Sequence, residues 1–457
     1  MKILLISPNT LTVPYPVYPI GLDYVAGSVA DRHQVRIADM NTMTRGELEL
    51  LLTDFAPQLI GLSCRNIDNT EAGNPRFFID EYRELVVWLR ARSRATIVCG
   101  GCGFTIMPER IFPALGADYG IIGEGERFGL LVEALDQGQD PAAIPGVLSA
   151  LPGLFASAKP EATVIPPPWE GERTRAFRPE VAQLDFYLHR GGMLNLQSKR
   201  GCAFNCIYCP YPRIEGKKHR LVAPAEVART ALELQQAGAK YFFITDSAFN
   251  SDIEHSLAVA RAFTTAGLRI PWGGFFAPVT LPPDYFTVMA QAGLKHVEFG
   301  TESLSTAMLR SYRKPFSVDH VLAAHAQARQ AGLHTAHYFL LGGPGECAAT
   351  VCESLEQIEK LPRAALFFFV GIRIYPGTQL CDIARAEGKI TPATDLLQPL
   401  YYESDNISRE AIEALVTTRA AGRINWIVGS GGEKSAATVS RLYERGYSGP
   451  LWEYLAR

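Results

Sequence analysis

The chain has 457 residues with 47% apolar and 20% charged side chains, so it is long enough for several domains and too long for a disulfide-stapled mini-protein. Forty-four lysines and arginines against 47 aspartates and glutamates give a net charge of −3, which argues against a nucleic-acid partner. The N-terminus lacks the pattern of a secretion signal, and no apolar run of about 18 residues occurs. We therefore expect a cytoplasmic protein without a membrane span, in which the nine cysteines are reduced.

Residues 1–140 alternate short apolar runs with helical stretches. Helices are predicted at 22–30, 47–55 and 77–92, and strands at 2–7, 34–40, 58–64, 95–101 and 118–126. Apolar strands that alternate with helices are typical of a doubly wound, Rossmann-like parallel sheet. Such an α/β sheet binds its ligand at the carboxyl ends of the strands.

Residues 141–190 are rich in proline, glycine and alanine and are predicted to form a linker. In residues 191–390, helical stretches separate six predicted strands, at 193–198, 240–246, 272–277, 296–302, 337–343 and 365–375. Six βα units in series predict a partial (β/α)6 barrel with a site at the carboxyl ends of its strands. Residues 391–457 are predicted to be a small, mostly helical C-terminal region.

Three cysteines, Cys202, Cys206 and Cys209, form a C-x3-C-x2-C motif directly after the first strand of this barrel. Three thiolates on one tight loop can hold a [4Fe–4S] cluster and leave its fourth iron open to a further ligand. Zinc is an alternative, but a structural zinc site needs four ligands, and the nearest candidate is His219, ten residues beyond Cys209. Three buried thiols placed by chance are the third alternative.

The segment CAFNCIYC, with Tyr208 before its last cysteine, resembles the signature of the radical S-adenosylmethionine (SAM) enzymes. The preceding domain, with SCRNIDN, GGCGF and GIIGEGE, resembles the cobalamin-binding domain of the cobalamin-dependent branch of that family. This resemblance covers nearly the whole chain. It implies a [4Fe–4S] cluster, SAM and cobalamin as cofactors, and an electron donor of the flavodoxin or ferredoxin type.

The resemblance also implies SAM contacts at successive strand ends of the barrel. The implied residues are Tyr208, Asp246, Ser247, Glu302, Ser303, Gly343 and Arg373. Simpler interpretations stay open for several of them. Asp246 is a candidate helix N-cap, Glu302 a candidate partner of Lys314 or Arg313, and the glycine a simple turn.

The implied cobalamin contacts lie in the first loop and at the ends of the third, fourth and fifth strands. They are Tyr15, Tyr18, Ser63, Arg65, Asn66, Gly100, Gly101, Gly103, Gly123, Glu124, Gly125 and Glu126. Strand-end glycines would allow the backbone to approach a bulky ligand tail, although ordinary turns would also explain them.

Many cobalamin proteins supply a cobalt ligand from a D-x-H-x-x-G motif after the first strand. In this chain DRHQVR has arginine in place of the glycine and follows the first helix, so His33 is interpreted as a surface residue. Cobalt is then expected to have no histidine ligand. Arg65 stays protonated and would disfavour a lower ligand, unless it forms a salt bridge with Asp68 or Glu71.

The leading hypothesis is a cobalamin-dependent radical SAM methyltransferase that acts on a poorly nucleophilic carbon or phosphorus of a small molecule or a peptide. The first alternative is a rearrangement, ring-contraction or cyclisation enzyme with the same cofactors. The second alternative is a cobalamin- or metal-binding protein without turnover. The sequence does not identify substrate-side catalytic residues, because a fold alone does not set the chemistry of its site.

Overall fold

The structure is a computed structural model that describes residues 1–12, 15–150, 165–177, 183–429 and 432–455. Its strands are β1 (Lys2–Ser7), β2 (Gln34–Asp39), β3 (Leu59–Ser63), β4 (Thr96–Gly100), β5 (Tyr119–Ile121), β6 (Val147–Ser149), β7 (Met193–Leu196), β8 (Lys199–Arg200), β9 (Arg220–Leu221), β10 (Tyr241–Ile244), β11 (Trp272–Phe276), β12 (Leu294–Glu302), β13 (His334–Leu341), β14 (Ala364–Val370), β15 (Ile372–Arg373), β16 (Tyr401–Tyr402) and β17 (Trp426–Val428).

The helices alternate with these strands in both large sheets. They are α1 (Ile20–Gly27), α2 (Arg45–Phe55), α3 (Ile79–Arg90), α4 (Cys102–Ile106), α5 (Pro108–Leu115), α6 (Arg127–Asp136), α7 (Leu184–His189), α8 (Tyr211–Ile214), α9 (Pro224–Gln236), α10 (Ile253–Ala266), α11 (Tyr285–Gln291), α12 (Thr306–Ser311), α13 (Val318–Gln330), α14 (Ala348–Ile358), α15 (Gln379–Ala386), α16 (Arg409–Ala420) and α17 (Gly432–Glu444). None of the helices in the described ranges is long and apolar enough to cross a membrane.

The first sheet has the strand order β2-β1-β3-β4-β5-β6, and all of its pairs are parallel except β5 with β6. The predicted doubly wound sheet is confirmed. Its order reverses between β1 and β3, which is the point where such sheets bind ligands. Strand β6 lies within the segment predicted as a linker and adds an antiparallel edge to the sheet.

The second sheet has the order β17-β14-β13-β12-β11-β10-β7, with parallel pairing throughout. It contains the six strands predicted for the partial barrel. The seventh, β17, comes from the C-terminal region, which the sequence predicts to be mostly helical. Its Trp426 stacks on Phe368 of β14 at 5.1 Å, so the region extends the barrel wall.

The two domains share one hydrophobic core. Buried residues of the first domain, such as Leu62, Tyr82 and Phe104, belong to the same cluster as Tyr312 and Ile372 of the second. Because one apolar cluster spans both domains, the carboxyl ends of the two sheets face each other in a fixed arrangement.

A buried ion pair also joins the two domains. The Nε of Arg373, at the end of β15, donates to Asp68 Oδ2 in the loop after β3 at 2.8 Å. The side chains are 3% and 0% exposed, respectively. The guanidinium also donates to the carbonyl of Leu396 in the C-terminal region at 2.8 Å. One arginine therefore connects three segments that are distant in sequence.

Two buried histidines between α13 and the second sheet predict a loss of stability in mild acid. The Nε2 of His337 lies 3.1 Å from the Nδ1 of His325. The Nδ1 of His337 lies 2.8 Å from Thr301 Oγ1. Burial lowers the pKa of His325 from 6.5 to about 4 and holds the pKa of His337 well below its ordinary value. The folded state thus keeps both rings neutral, while the unfolded chain binds protons near pH 6.5.

We therefore expect the free energy of unfolding to fall as the pH falls from 6.5 towards 4, the range between the unfolded and folded pKa of His325. The slope should approach about 1.4 kcal/mol per pH unit for each histidine. Urea unfolding at a series of pH values measures this, and His325→Gln should reduce the slope. A matched change at the exposed His189, His189→Gln, should leave the slope unchanged. An unaltered slope in His325→Gln would contradict the assignment.

Candidate functional site

A cleft lies between the carboxyl ends of the two sheets. The first sheet lines it at the switch point, with Ser7 of β1 and Ser63 of β3. The barrel contributes Asn195, Gln197 and Thr245 from the opposite side. The apolar part of the lining comes from the sheet and from helices α1 and α6: Leu5, Gly61, Val98, Val25 and Phe128. A cleft with a mostly apolar lining and a few polar groups is typical of a small-molecule or cofactor site.

Nine of the twelve predicted cobalamin residues line this cleft: Tyr18, Ser63, Arg65, Gly100, Gly101, Gly123, Glu124, Gly125 and Glu126. Tyr15, Asn66 and Gly103 are outside the lining. Their contacts with the cofactor remain predictions, but the structure brings together the strand ends from which they were inferred.

The glycines after β4 have a structural role, beside which their predicted approach to a ligand stays a prediction. A Cβ on Gly101 would lie 2.9 Å from the carbonyl oxygen of Cys64, and one on Gly103 would lie 2.9 Å from that of Arg65. Gly101 also has a φ of +112°, which side chains rarely adopt. These glycines therefore admit the neighbouring backbone after β3, and this close packing holds Arg65 at the cleft.

Glu124 and Glu126, two of the predicted cobalamin contacts, are both engaged by protein cations. Arg220 Nη1 donates to Glu124 Oε2 at 2.7 Å, and Arg200 Nη1 donates to Glu126 Oε2 at 2.9 Å. The two carboxylates consequently anchor the barrel's first hairpin, β8–β9, to the first domain.

Arg65 is an exposed cation in the lining of the cleft. Its predicted alternative partner Asp68 pairs with Arg373 instead. Among the residues that the structure describes, Arg65 forms an ion pair with no carboxylate. His33 lies at the amino end of the sheet, with its Nδ1 2.9 Å from the N-terminal amine, and no described residue of the cleft lining is a histidine. His33, interpreted as a surface residue, is half-buried at this end of the sheet.

The cysteine motif lies on the loop inside the β8–β9 hairpin. Cys202 donates its backbone N–H to the carbonyl of Gly216 at 3.1 Å. Gly201 has a φ of +93°, and a Cβ there would lie 2.2 Å from the carbonyl oxygen of Lys218, so only glycine fits. Burial raises the pKa of the Cys209 thiol to about 12, with smaller contributions from Cys206 and Cys202, which lie nearby.

Such a buried thiol would give up its proton on binding a metal rather than to water. In the described ranges, no three His, Cys, Asp or Glu side chains are already grouped as ligands of one metal ion. The zinc candidate His219 instead lies with its Nε2 3.1 Å from Ser251 Oγ.

A polar triad stands beside the cysteine loop. The Tyr208 hydroxyl donates to Glu302 Oε1 at 2.9 Å. Lys314 Nζ lies 3.2 Å from the Tyr208 hydroxyl oxygen and 3.2 Å from Glu302 Oε1. Burial works to lower the pKa of Lys314, but Glu302 and then the thiol of Cys206 raise it above its ordinary value. Glu302 has a φ of +63°, a costly conformation for a residue with a side chain. A carboxylate and an ammonium fixed beside the loop suit a zwitterionic ligand such as SAM.

From the sequence, Lys314 was expected only as a solvated partner of Glu302. In the structure the Lys314 side chain is just 7% exposed. Its proximity to Tyr208 depends on how β12 and the following turn are placed against the cysteine loop. A signal for this residue was therefore absent from the local pattern.

Asp246 was predicted to contact SAM, but its acceptor positions are filled by the chain. It accepts from the N–H and the Oγ of Ser198, at 2.8 and 2.5 Å, and from Lys199 Nζ at 3.1 Å. It therefore anchors the segment that leads into the cysteine loop. The neighbouring Ser247 Oγ is buried and has no hydrogen-bond partner among the described residues. This unsatisfied hydroxyl is available to a ligand.

Three further predicted SAM residues have structural partners. The Oγ of Ser303 lies 2.9 Å from that of Ser354, and Arg373 is held by Asp68. A Cβ on Gly343 would lie 2.2 Å from the ring of Tyr312, so this glycine makes room for an aromatic side chain. Their proposed contacts with SAM stay predictions, whereas their structural contacts explain the residue types.

The fold and the site define a two-domain α/β protein in which a cysteine loop borders a cleft shared by both domains. A family model described as "B12 binding domain" matches residues 6–130, and one described as "Radical SAM superfamily" matches residues 196–358. The chain therefore carries a B12-binding domain followed by a radical SAM domain.

Individual relatives agree with this assignment. An uncharacterised methyltransferase of Pyrococcus horikoshii is 26% identical, over 91% of this chain and 92% of its own. The tryptophan 2-C-methyltransferase of Streptomyces laurentii is 24% identical, over 81% and 72%. The structure of the radical SAM methyltransferase TsrM of Kitasatospora setae, bound to tryptophan and a SAM analogue, has a TM-score of 0.86 at 22% identity. It covers 100% of this chain and 98% of its own, and therefore shares the whole fold.

Proposed function

We propose that this protein is a methyltransferase that moves a methyl group from SAM, through cobalamin, to a weakly nucleophilic carbon of a small molecule. The observation that carries the proposal is the shared cleft. Tyr211 lies two residues after Cys209 and lines the same cleft as Arg65 and Gly101 of the first domain. Sites for the cluster and the corrinoid would thus open into one space, as sequential transfer requires. The names of the relatives support this choice over a rearrangement.

When bound, cobalamin would carry the methyl group, and the cluster with SAM would supply one-electron chemistry. The chain's own part is to bind and orient these groups. Cys202, Cys206 and Cys209 would hold the cluster, and Tyr208, Glu302 and Lys314 would orient the polar end of SAM. We also propose that an electron donor of the flavodoxin or ferredoxin type reduces the cluster.

A half-reaction tests the proposal without knowledge of the substrate. The protein, reconstituted anaerobically with iron, sulfide and cobalamin and then reduced, should form about one S-adenosylhomocysteine per bound cobalamin from SAM. Formation of none would contradict methyl transfer. With tryptophan, the ligand of the structural neighbour, or another candidate substrate, a methyltransferase yields S-adenosylhomocysteine together with a methylated product. An unmethylated, rearranged product would favour the alternative.

Arg65 provides a second prediction in the same assay. We propose that its guanidinium would lie beside the bound corrinoid, where a side chain that has only hydrogen-bond donors would not serve as a ligand of the metal. Arg65→Ala should change the visible spectrum of bound cobalamin and slow the half-reaction by about tenfold or more. The control Arg83→Ala removes an exposed arginine from α3 of the same domain. An unchanged spectrum together with an unchanged rate would refute this role.

A further inference from the structure

The inner face of the barrel sheet carries a group of aromatic side chains. Phe276 of β11 and Phe339 of β13 pack into the apolar clusters that these strands form with the surrounding helices. Because side chains alternate between the two faces of a strand, the preceding residues, Phe275 and Tyr338, point away from the helices into the barrel. Together with the rings that they contact they form what we call the aromatic wall: Phe243, Phe275, Tyr338, Phe367 and Phe369.

The rings of the aromatic wall adjoin one another but do not fill the inside of the barrel. The centroid of the Phe275 ring lies 4.9 Å from that of Phe243 and 6.4 Å from that of Tyr338. Tyr338 stacks on Phe367 with ring centroids 4.9 Å apart and an interplanar angle of 13°. In closed (β/α)8 barrels, side chains fill the interior. Phe275 is instead 40% exposed, although β11 is an inner strand of the sheet, so part of its ring is free to contact a ligand.

The end of the chain closes the amino end of the barrel beneath the aromatic wall. The Tyr338 hydroxyl donates to Glu298 Oε2 at 2.7 Å, and Trp452 Nε1 donates to Glu298 Oε1 at 3.1 Å. The next residue, Glu453, accepts from the hydroxyl of Tyr241, the first residue of β10, at 2.7 Å. Since Tyr338 and Trp452 both donate to Glu298, they present fixed rings to a ligand and no free hydrogen-bond donor.

The aromatic wall continues into the cleft shared by both domains. Phe243 of β10 pairs with Asn195 of β7, so these two side chains lie on the same face of the sheet. Asn195 lines the cleft, and so does Thr245, two residues beyond Phe243. A ligand held against the wall would therefore border the space in which the two cofactor sites are proposed to meet.

We propose that the aromatic wall binds the substrate, and that the substrate is a small molecule with a flat aromatic ring that lies against Phe275. The inference rests on the proposed function and names its substrate class. Stacked and edge-to-face aromatic pairs gain energy beyond that of the buried area, so the wall favours a flat ring over a saturated group of the same size. Phe275 is then a specificity-determining residue.

Two neutral probes of similar size test this preference: 2-naphthol, which is aromatic, and decahydro-2-naphthol, its saturated counterpart. Equilibrium dialysis against protein loaded with cluster and cobalamin, so that the cofactor cleft is occupied, gives the Kd of each. We expect the wild-type protein to bind 2-naphthol about fivefold more tightly or better. Phe275→Leu should weaken binding of 2-naphthol by about fivefold and change that of the saturated probe by less than about twofold. Phe275→Tyr, which keeps the ring, should bind both probes like the wild-type protein.

The matched control Phe186→Leu removes a ring from α7, on the helical side of the sheet, and should change neither Kd. Equal losses for both probes in Phe275→Leu would indicate a structural role and overturn the inference, as would an unchanged Kd for 2-naphthol or a Phe275→Tyr protein as weak as Phe275→Leu. Wild-type protein that forms S-adenosylhomocysteine but binds 2-naphthol no better than the saturated probe would overturn the substrate class alone. Wild-type protein that prefers 2-naphthol but forms no S-adenosylhomocysteine would overturn the proposed function, and with it the identification of the ligand as a methyl acceptor.

Discussion

Replacement of Cys206 by alanine is expected to abolish turnover of SAM and to prevent assembly of the iron–sulfur cluster. A [4Fe–4S] cluster with three protein thiolates has no replacement for the lost ligand on this loop. Anaerobic reconstitution with iron and sulfide should give about four irons per wild-type chain and far fewer in the variant. The visible absorbance of the cluster should be lost in parallel.

The matched control for this experiment is Cys352→Ala on helix α14, because Cys352 is a half-buried thiol remote in sequence from the cysteine loop. It should assemble the cluster like the wild-type protein. Cofactor-free Cys206→Ala and wild-type protein should unfold at similar urea concentrations, which separates loss of the cluster from loss of the fold. A Cys206→Ala protein that retained its cluster and full turnover would refute the assignment of this loop.

Arg373→Met is expected to lower the free energy of unfolding by about 3–5 kcal/mol, because it leaves the carboxylate of Asp68 buried without its cation. The variant also removes donors to the carbonyl of Leu396. Urea unfolding at neutral pH measures the effect. The double variant Asp68→Asn with Arg373→Met should recover part of the loss, since it no longer buries an unpaired charge.

An exposed ion pair between the first domain and the C-terminal region provides the comparison. Arg110 and Asp395 lie 2.9 Å apart with side chains 49% and 46% exposed. Arg110→Met should cost no more than about 1 kcal/mol, since water screens such pairs. If both variants lost the same free energy of unfolding, burial would not make the Arg373–Asp68 pair more stabilising than the exposed pair.

The sequence predicts local features of this protein well, because they depend on residues close together in the chain. Apolar runs located the strands of both sheets apart from the short β6 and β17, and the cysteine spacing located the loop that holds the motif. The short strand β17 was missed, because three residues are too few to establish a period. Its place in the sheet depends on packing against Phe368.

The roles of individual site residues were harder to predict, because they depend on partners far away in sequence. Arg373 was expected to contact SAM, but only the assembled fold shows Asp68 beside it. Likewise, the acceptor oxygens of Asp246 are used by Ser198 and Lys199. In both cases the strand end was correctly predicted, whereas the partner of the side chain could not be read from its neighbours in the chain.

The hydrophobic core common to both domains has a consequence for how methyl transfer would be controlled. The walls of the cleft belong to different domains, yet their separation is fixed by packed side chains such as Tyr82 and Tyr312. The distance from the corrinoid to the cluster is therefore a property of the protein interior. A volume change at such a position, remote from either cofactor, would alter the transfer distance itself, and turnover would then fall although both cofactors remained bound.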